Sequence, residues 1–310
     1  MTAVAYLIQS HRDPHQVLRL VRTLRVGSPS SVIHVSHDER GERLDDAALA
    51  ALGVEVRYEP GGYGDFSHVR RYLDAVAWLR DTGQAVDWVV NLTGQDYPLR
   101  PISAIEADLA ASTVDGYLEY FDCFGPDSPW PLHRARSRYL FRHKRLMSLT
   151  TRRAEQLRPL QVLNRLQPLV RVHVAYGLTV GVRRRSIFGP GLRLYGGSAF
   201  SSLRWPAALH LLETAETDAR LVDVFEHALS PAEAFSPTVL LNSGRFRLVN
   251  DPRRYFDFRG SRLNHPKTLT IADLPRALAS GADFGRKFDQ GTDPAVLDEL
   301  DRVVARDVRA

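Results

Sequence analysis

Val4-Ala5-Tyr6-Leu7-Ile8-Gln9-Ser10-His11-Arg12-Asp13-Pro14 changes character halfway along. Residues 4–9 are apolar except for Gln9, a run too short for a buried helix and right for a strand covered on both faces. Four polar residues break the run. Pro14 then opens a helix, 14–24, with Val17, Leu20, Val21 and Leu24 along one side. The alternation continues downstream. Residues 31–36 read as a strand, 45–52 as a helix, 54–58 as a strand, and 66–80 as a helix striped by Val69, Leu73, Val76 and Leu79. Residues 86–92 follow as a strand, 102–111 as a helix and 116–121 as a strand. Strands spaced by helices of this length predict an α/β fold: a mostly parallel, Rossmann-like central sheet with helices on both faces.

In such sheets ligands bind beyond the carboxyl ends of the strands. Those ends carry Ser10-His11-Arg12-Asp13, Ser36-His37-Asp38 and Thr93-Gly94-Gln95-Asp96, all polar. Residues 122–175 are less regular, with a proline-rich loop, a basic run and a helical pattern near 154–166. They read as an insertion or lid within a single domain spanning 1–310. Order returns with a strand at 198–201, helices near 206–217, 220–228 and 231–240, and a strand near 246–249. An aromatic segment, Tyr255-Phe256-Asp257-Phe258, precedes helices near 271–279 and 294–306.

Composition narrows the class. With 44% hydrophobic and 25% charged residues the chain is ordinary for a globular protein. No run approaches the roughly 18 apolar residues of a membrane span. The chain starts without a basic leader or cleavage site, and Cys123 is its one cysteine, which predicts a soluble, cytoplasmic protein without internal disulfides. The formal charge of +5 points to anionic partners. Arg134, Arg136, Arg138, Arg142, Lys144, Arg145, Arg152, Arg153 and Arg158 crowd the stretch 133–158, opposed by Glu155 alone. Two readings stand: a solvated helical face, or a contact with an acidic or lipid-linked acceptor or with lipid headgroups at the inner membrane face. No helix-turn-helix, zinc-finger or RNP-like pattern accompanies the charge, which argues against nucleic acid.

Four segments could carry chemistry. Ser230-Pro231-Ala232-Glu233 has the spacing of a helix capping box, yet a carboxylate at such a position also suits a general base. Phe284-Gly285-Arg286-Lys287-Phe288-Asp289 offers a cation pair to a departing diphosphate, or a surface turn anchored by its phenylalanines; His265-Pro266-Lys267 offers another cation. Asp96, within Asn91-Leu92-Thr93-Gly94-Gln95-Asp96-Tyr97-Pro98, is a lone carboxylate in a turn context. The glycines of Gly61-Gly62-Tyr63-Gly64-Asp65-Phe66-Ser67 permit close backbone approach to a ligand without matching a dinucleotide or Walker spacing. The chain has no Asp-x-Asp pair and no His/Cys cluster at ligand spacing, so no metal site is expected.

In chain order AYLIQSHRDP, IHVSHDER, GGYGDFSHV, NLTGQDYPLRP, GSAFSSL, SPAEAFSPTVLLNS, RRYFDFRGSRLNHPKTLT and FGRKFD resemble the core-2/I-branching β-1,6-N-acetylglucosaminyltransferase and peptide O-xylosyltransferase family, glycosyltransferase family 14. The resemblance covers nearly the whole chain. It implies a GT-A-like fold and inverting, metal-independent transfer of a sugar of the GlcNAc or xylose class from a UDP-sugar to a hydroxyl, forming a β-glycosidic bond with no cofactor. It also implies roles. Glu233 would be the base; Lys287, with Arg286 beside it and Lys267 as the second basic residue, would meet the diphosphate. Ser10, His11, Ser36 or Asp38, and Tyr63 would lie by the nucleoside. Phe258 falls where relatives carry a tryptophan against the acceptor, and Ser36 where animal members often carry an aspartate, with Asp38 as its replacement. The competing readings are a non-catalytic sugar-nucleotide or glycan-binding module and a basic nucleic-acid-binding protein.

Overall fold

The computed structural model describes residues 2–149, 151–162, 164, 168–259 and 266–305. Its strands, in chain order, are β1 (Val4–Ser10), β2 (Val32–Asp38), β3 (Glu55–Glu59), β4 (Trp88–Thr93), β5 (Asp96–Pro98), β6 (Gly116–Leu118), β7 (Phe121–Asp122) and β8 (Phe141–Met147). They continue as β9 (Val170–His173), β10 (Leu178–Arg183), β11 (Tyr195–Gly196), β12 (Ser201–Arg204), β13 (Leu248–Asn250), β14 (Arg254–Phe256) and β15 (Phe284–Arg286). The central sheet has the order β13-β6-β12-β4-β1-β2-β3. Its pairs β3–β2, β2–β1, β1–β4 and β6–β13 are parallel, while β12 runs antiparallel to both neighbours. The mixed α/β architecture with a mostly parallel sheet is therefore present as expected.

Strand alternation explains why that sheet is covered twice. Val4, Tyr6 and Ile8 of β1, with Trp88, Val90 and Leu92 of β4, point into one apolar layer. Ala5, Leu7 and Val89 point into the other. The helices Pro14–Gly27, Ile102–Ala111 and Pro294–Val304 close the first layer, supplying among others Leu20, Leu24, Ile105 and Leu300. The helices Ser67–Asp81, Trp205–Thr217 and Phe235–Ser243 close the second through Leu79, Leu211 and Leu240. Asp13 caps the first helix by accepting from the Gln16 amide at 3.0 Å. This packing holds the strand ends that carry the polar segments in one fixed row.

Several expectations are corrected here. The basic run is not one helical face: Arg142, Lys144 and Arg145 lie on a strand, between a helix that holds Arg134, Arg136 and Arg138 and another that holds Arg152 and Arg153. Helix Leu132–Tyr139 leads into β8, which pairs antiparallel with β10, and β10 pairs antiparallel with β9. The pairing of β8 with β10, Leu178–Arg183, crosses the boundary expected at residue 175. Helix Thr151–Leu157 gives way to a 3-10 turn at Arg158–Val162, and the remainder of the expected 154–166 helix falls partly outside the described residues. The expected helix 231–240 is broken into a 3-10 turn, Pro231–Glu233, and the helix Phe235–Ser243, with Ala234 at φ −139°, ψ −19° between them. FGRKFD is not a simple surface turn, since its first three residues form β15, the middle strand of a small β14-β15-β5 sheet.

Candidate active site

The capping-box reading of Ser230–Glu233 fails on geometry. Ser230 has φ 53° and ψ 51°, a left-handed conformation, and its side chain makes no cap hydrogen bond. Its hydroxyl donates instead to the Tyr176 hydroxyl at 2.7 Å, its amide donates to the Gly64 carbonyl at 2.9 Å, and its carbonyl accepts from the Tyr139 hydroxyl at 3.0 Å. The Glu233 carboxylate is thereby left to other partners. Arg138 Nη1 donates to Glu233 Oε2 at 2.7 Å, while Oε1 accepts from no described residue. Arg138 is almost wholly buried and stacks on Trp130 at 4.9 Å; Glu233 keeps 37% of its side chain exposed. Burial works against the charge on Arg138, but Glu233 and the neighbouring tyrosines more than offset it and hold its pKa above the ordinary value. Tyr63 and half-buried Glu119 stand within the field of Glu233; burial first, and that negative charge after it, push the Glu119 carboxyl upward. The result is an accessible carboxylate gripped on one oxygen.

Residues 197–200 join this corner to a cationic one. The Gly197 amide donates to the Glu233 carbonyl at 2.7 Å, and the Phe200 ring lies 4.2 Å from the Arg286 guanidinium carbon. Three residue steps span at most roughly 11 Å. Arg286 sits in β15 with Nε 3.4 Å from Asp96 Oδ1, and that Nε, fully buried, has no hydrogen-bond partner. Lys287 follows it, half-buried, and among the described residues its ammonium makes no ion pair or hydrogen bond. Burial, then Arg12, then Arg286 lower its pKa. Arg12 reaches the same corner through its 3.0 Å pair with Asp289. An uncompensated ammonium beside two guanidinium groups is the electrostatic arrangement of an anion site.

The remaining candidates divide. Lys267 does not share this state: its ammonium lies 2.6 Å from Asp273 and 3.4 Å from Asp257, so two carboxylates already claim it. Asp273 closes a capping box with Thr270, the motif expected at Ser230. His265 lies outside the described residues. Asp96 is fully buried and accepts from the Thr93 amide at 2.7 Å and the Thr93 hydroxyl at 3.0 Å, so its carboxylate is committed to its own turn. At the mouth of β1, His11 is exposed, while Ser10 is buried and shares a 2.7 Å hydrogen bond with His37 Nδ1. Ser36 is sealed off: its hydroxyl bonds Glu59 and accepts from buried Arg71 Nε at 2.6 Å. Asp38 is held by Arg40 at 3.0 and 2.9 Å, which depresses its pKa to about 2. Any nucleoside contact by Ser36 or Asp38 would require those pairs to open.

The glycine loop also differs from its expected use. A side chain at Gly61 would strike the Asp38 carboxylate, and Gly64, at φ 68°, lies against the Tyr176 ring. These glycines serve close approach to the protein's own side chains. Tyr63, next to Gly64, is half exposed, with its ring 5.3 Å from that of Tyr176. Phe258 is 54% exposed and ends a ladder of rings: Phe258 to Phe256 at 6.3 Å, then Phe256 to Phe200 at 5.7 Å. That ladder terminates on Arg286, so an apolar platform adjoins the cations. Among the described residues no three His, Cys, Asp or Glu side chains stand together to hold a metal ion.

With this geometry in place, comparison with known proteins is decisive at the family level. The family model described as Core-2/I-Branching enzyme matches residues 4–279. The chain belongs to the Core-2/I-Branching enzyme family. Beta-glucuronosyltransferase GlcAT14B of Arabidopsis thaliana is 24% identical over 96% of this chain and 65% of its own length. Beta-glucuronosyltransferase GlcAT14A of the same plant is 27% identical over 75% of this chain and 46% of its own. The chain thus spans from about half to just under two thirds of the lengths of these relatives. A solved 4-diphosphocytidyl-2C-methyl-D-erythritol synthase aligns over 39% of this chain and 60% of that one at 14% identity, with a TM-score of 0.28.

In this Core-2/I-Branching family member, residues that sequence reading did not single out also stand at these corners. Arg138 was one cation among nine, and only its burial beside Glu233 marks it. Arg12 was part of a polar strand end. His68 shares a 2.9 Å hydrogen bond with Gln9 Oε1 and stands within the fields of Arg71, Asp65, His11 and Arg286. A histidine in the first turn of a predicted helix carries no sequence signal of that placement.

Proposed function

We propose that this chain is a GT-A-like glycosyltransferase that moves a sugar from a UDP-sugar to an acceptor hydroxyl with inversion, and without a metal. Glu233 takes the proton from the acceptor hydroxyl as its oxygen attacks the anomeric carbon. The bond from that carbon to the diphosphate oxygen breaks, and the electron pair leaves with UDP. Lys287, helped by Arg286 and Arg12, offsets the charge gathering on the diphosphate. The observation that carries this reading is the unpaired, half-buried Lys287 beside two guanidinium groups, set across residues 197–200 from an accessible carboxylate. The resemblance supports GlcNAc or xylose as the transferred unit, and the printed names of the two plant relatives add glucuronic acid. Phe258 supplies the platform for the acceptor. A cytoplasmic setting belongs to the same proposal, supported by the single, buried Cys123.

A thermal-shift panel of nucleotides and UDP-sugars tests the donor, because a ligand that binds only the native state raises its melting temperature. Glu233→Gln should abolish transfer while keeping the shift produced by the donor. Transfer should survive excess EDTA. Full activity in Glu233→Gln, or strict dependence on added manganese, would discard the mechanism.

A further inference from the structure

The 41 Lys and Arg and 36 Asp and Glu of the chain are unevenly placed. Residues 132–185 hold fourteen Lys and Arg against one acid, Glu155, so this stretch carries +13 and the remainder of the chain −8. The stretch builds the β8-β10-β9 sheet, whose two faces differ. Register puts Phe141, His143, Thr179 and Gly181 on one face, all buried against the body. The other face carries Arg142 and Lys144 of β8 beside Val180 and Val182 of β10 and Val170 and Val172 of β9. There Lys144 is exposed, and Val182 is exposed by 56%. Leu146 and Met147 continue β8 into solvent at 58% and 46%, and Leu169, whose carbonyl accepts from the Arg183 amide at 2.7 Å, is exposed by 61%. Of the thirteen large apolar side chains exposed among the described residues, seven fall within 132–185.

We propose that the outer face of this sheet docks the protein on an anionic lipid surface. Charge alone would fit any polyanion. The interleaved apolar side chains favour lipid, because a bilayer interface rewards buried apolar area and positive charge together. A second copy is disfavoured as the occupant, since two such faces would bring like charges of this size into contact. Part of this cation set pairs within the protein, Arg138 with Glu233, Arg142 with Asp223 and Arg145 with Asp65, whereas Lys144 is exposed beside the valines, and Arg183 and Arg185 are exposed where β10 ends, Arg183 by register on the Phe141 side. Helix Leu132–Tyr139 carries Arg138 and runs directly into β8, so docking would hold the Glu233 corner close to the membrane, where a lipid-linked acceptor resides. The docking itself does not depend on the chemistry proposed for Glu233.

Co-sedimentation of the full chain with vesicles tests this. Binding is expected to phosphatidylcholine vesicles containing phosphatidylglycerol, weakening as salt rises, and not to phosphatidylcholine alone. Each exposed cation near the surface is worth about 1 kcal/mol, or roughly fivefold, so Lys144→Ala and Arg185→Ala together should lose roughly twenty-five-fold. Val182→Ser with Leu146→Ser leaves the charge intact and should lose roughly tenfold. Circular dichroism melting checks that both variants fold. No binding to the mixed vesicles, equal binding to neutral ones, or an unchanged serine variant together with tight binding to heparin would overturn the proposal. So would a stable dimer broken by the same substitutions. None of these readouts involves turnover, so they stand apart from the test of Glu233.

Discussion

Replacing Arg138 by methionine removes the guanidinium that grips Glu233 while keeping an unbranched apolar stem against Trp130. Two unit charges about 4 Å apart interact by about 4 kcal/mol at an effective dielectric of 20. Arg138 is nearly buried, but Glu233 is 37% exposed, so solvent screening brings the figure down to about 1–2 kcal/mol. An interaction of that size holds the carboxylate in one place rather than holding the fold together. Without it kcat should fall about tenfold to a hundredfold, as a carboxylate no longer gripped at Oε2 loses its geometry towards the acceptor hydroxyl, while the donor KM stays nearly unchanged. Arg138→Lys should restore kcat in part. The assay is initial rates of transfer to a fixed acceptor at saturating donor, with melting temperature followed in parallel. A variant that lost melting temperature but kept its kcat would refute the reasoning, because a purely structural arginine predicts that outcome.

Lys287→Ala should lower kcat/KM by about 10²–10³, as loss of a group facing developing charge does, whereas Lys267→Ala should change donor affinity little and act mainly on melting temperature, since Asp273 and Asp257 already occupy its ammonium. Equal losses in both variants would return Lys267 to the donor site. Acid should destabilise the fold through buried histidines. Burial lowers His34 and His143 to about 4 and His173 to about 3, below the unfolded value of about 6.5, so the unfolded chain binds the extra protons. Their stabilisation is present above pH 6.5 and is lost as pH falls towards 4, by roughly 1.4 kcal/mol per pH unit for each histidine. Urea unfolding at pH 7 and pH 5 measures it, and His34→Phe should remove about one proton from the linkage; a flat profile contradicts the burial argument. Phe258→Ala should raise the acceptor KM by roughly tenfold with kcat nearly unchanged, read from initial rates at saturating donor.

The first half of the chain was legible because its strands are covered on both faces and its helices on one. Apolar runs and 3.6-residue stripes then report position directly, as in residues 4–9 and in Val69, Leu73, Val76 and Leu79. The second half was read less well for identifiable reasons. Phe141-Arg142-His143-Lys144 does alternate inward and outward, but Arg142 and Lys144 at the outward positions, within a longer basic run, made the stretch look like a charged helix. Strands β5, β7, β11, β14 and β15 have two or three residues each, shorter than any window that can show a period of two. Their place in the fold is set by partners far along the chain: β15 by Asp96–Pro98 on one side and Arg254–Phe256 on the other. Glu233 and Lys287 could be singled out as residue types in a motif. Which cations were already neutralised could not, because the partners of Lys267 and of Arg138 are set by tertiary contact.

Ser230 shows why one spacing supported two roles. A serine followed by proline at the first helical position and glutamate at the third makes a reciprocal cap only when the serine is extended, so that its hydroxyl faces the turn it precedes. At φ 53° the hydroxyl turns away to Tyr176, and the glutamate has no backbone amide to return to. A non-glycine residue in that region costs on the order of 1 kcal/mol or more, and persists only where the surroundings over-determine it. Here Gly64, Tyr139 and Tyr176 each hold one of its polar groups. Those contacts come from three separate parts of the chain, and their combined effect is to withdraw the serine from the turn and leave Glu233 facing Arg138 and solvent. A cap needs only local sequence; a distortion maintained from so many directions is what a site that must present a carboxylate requires.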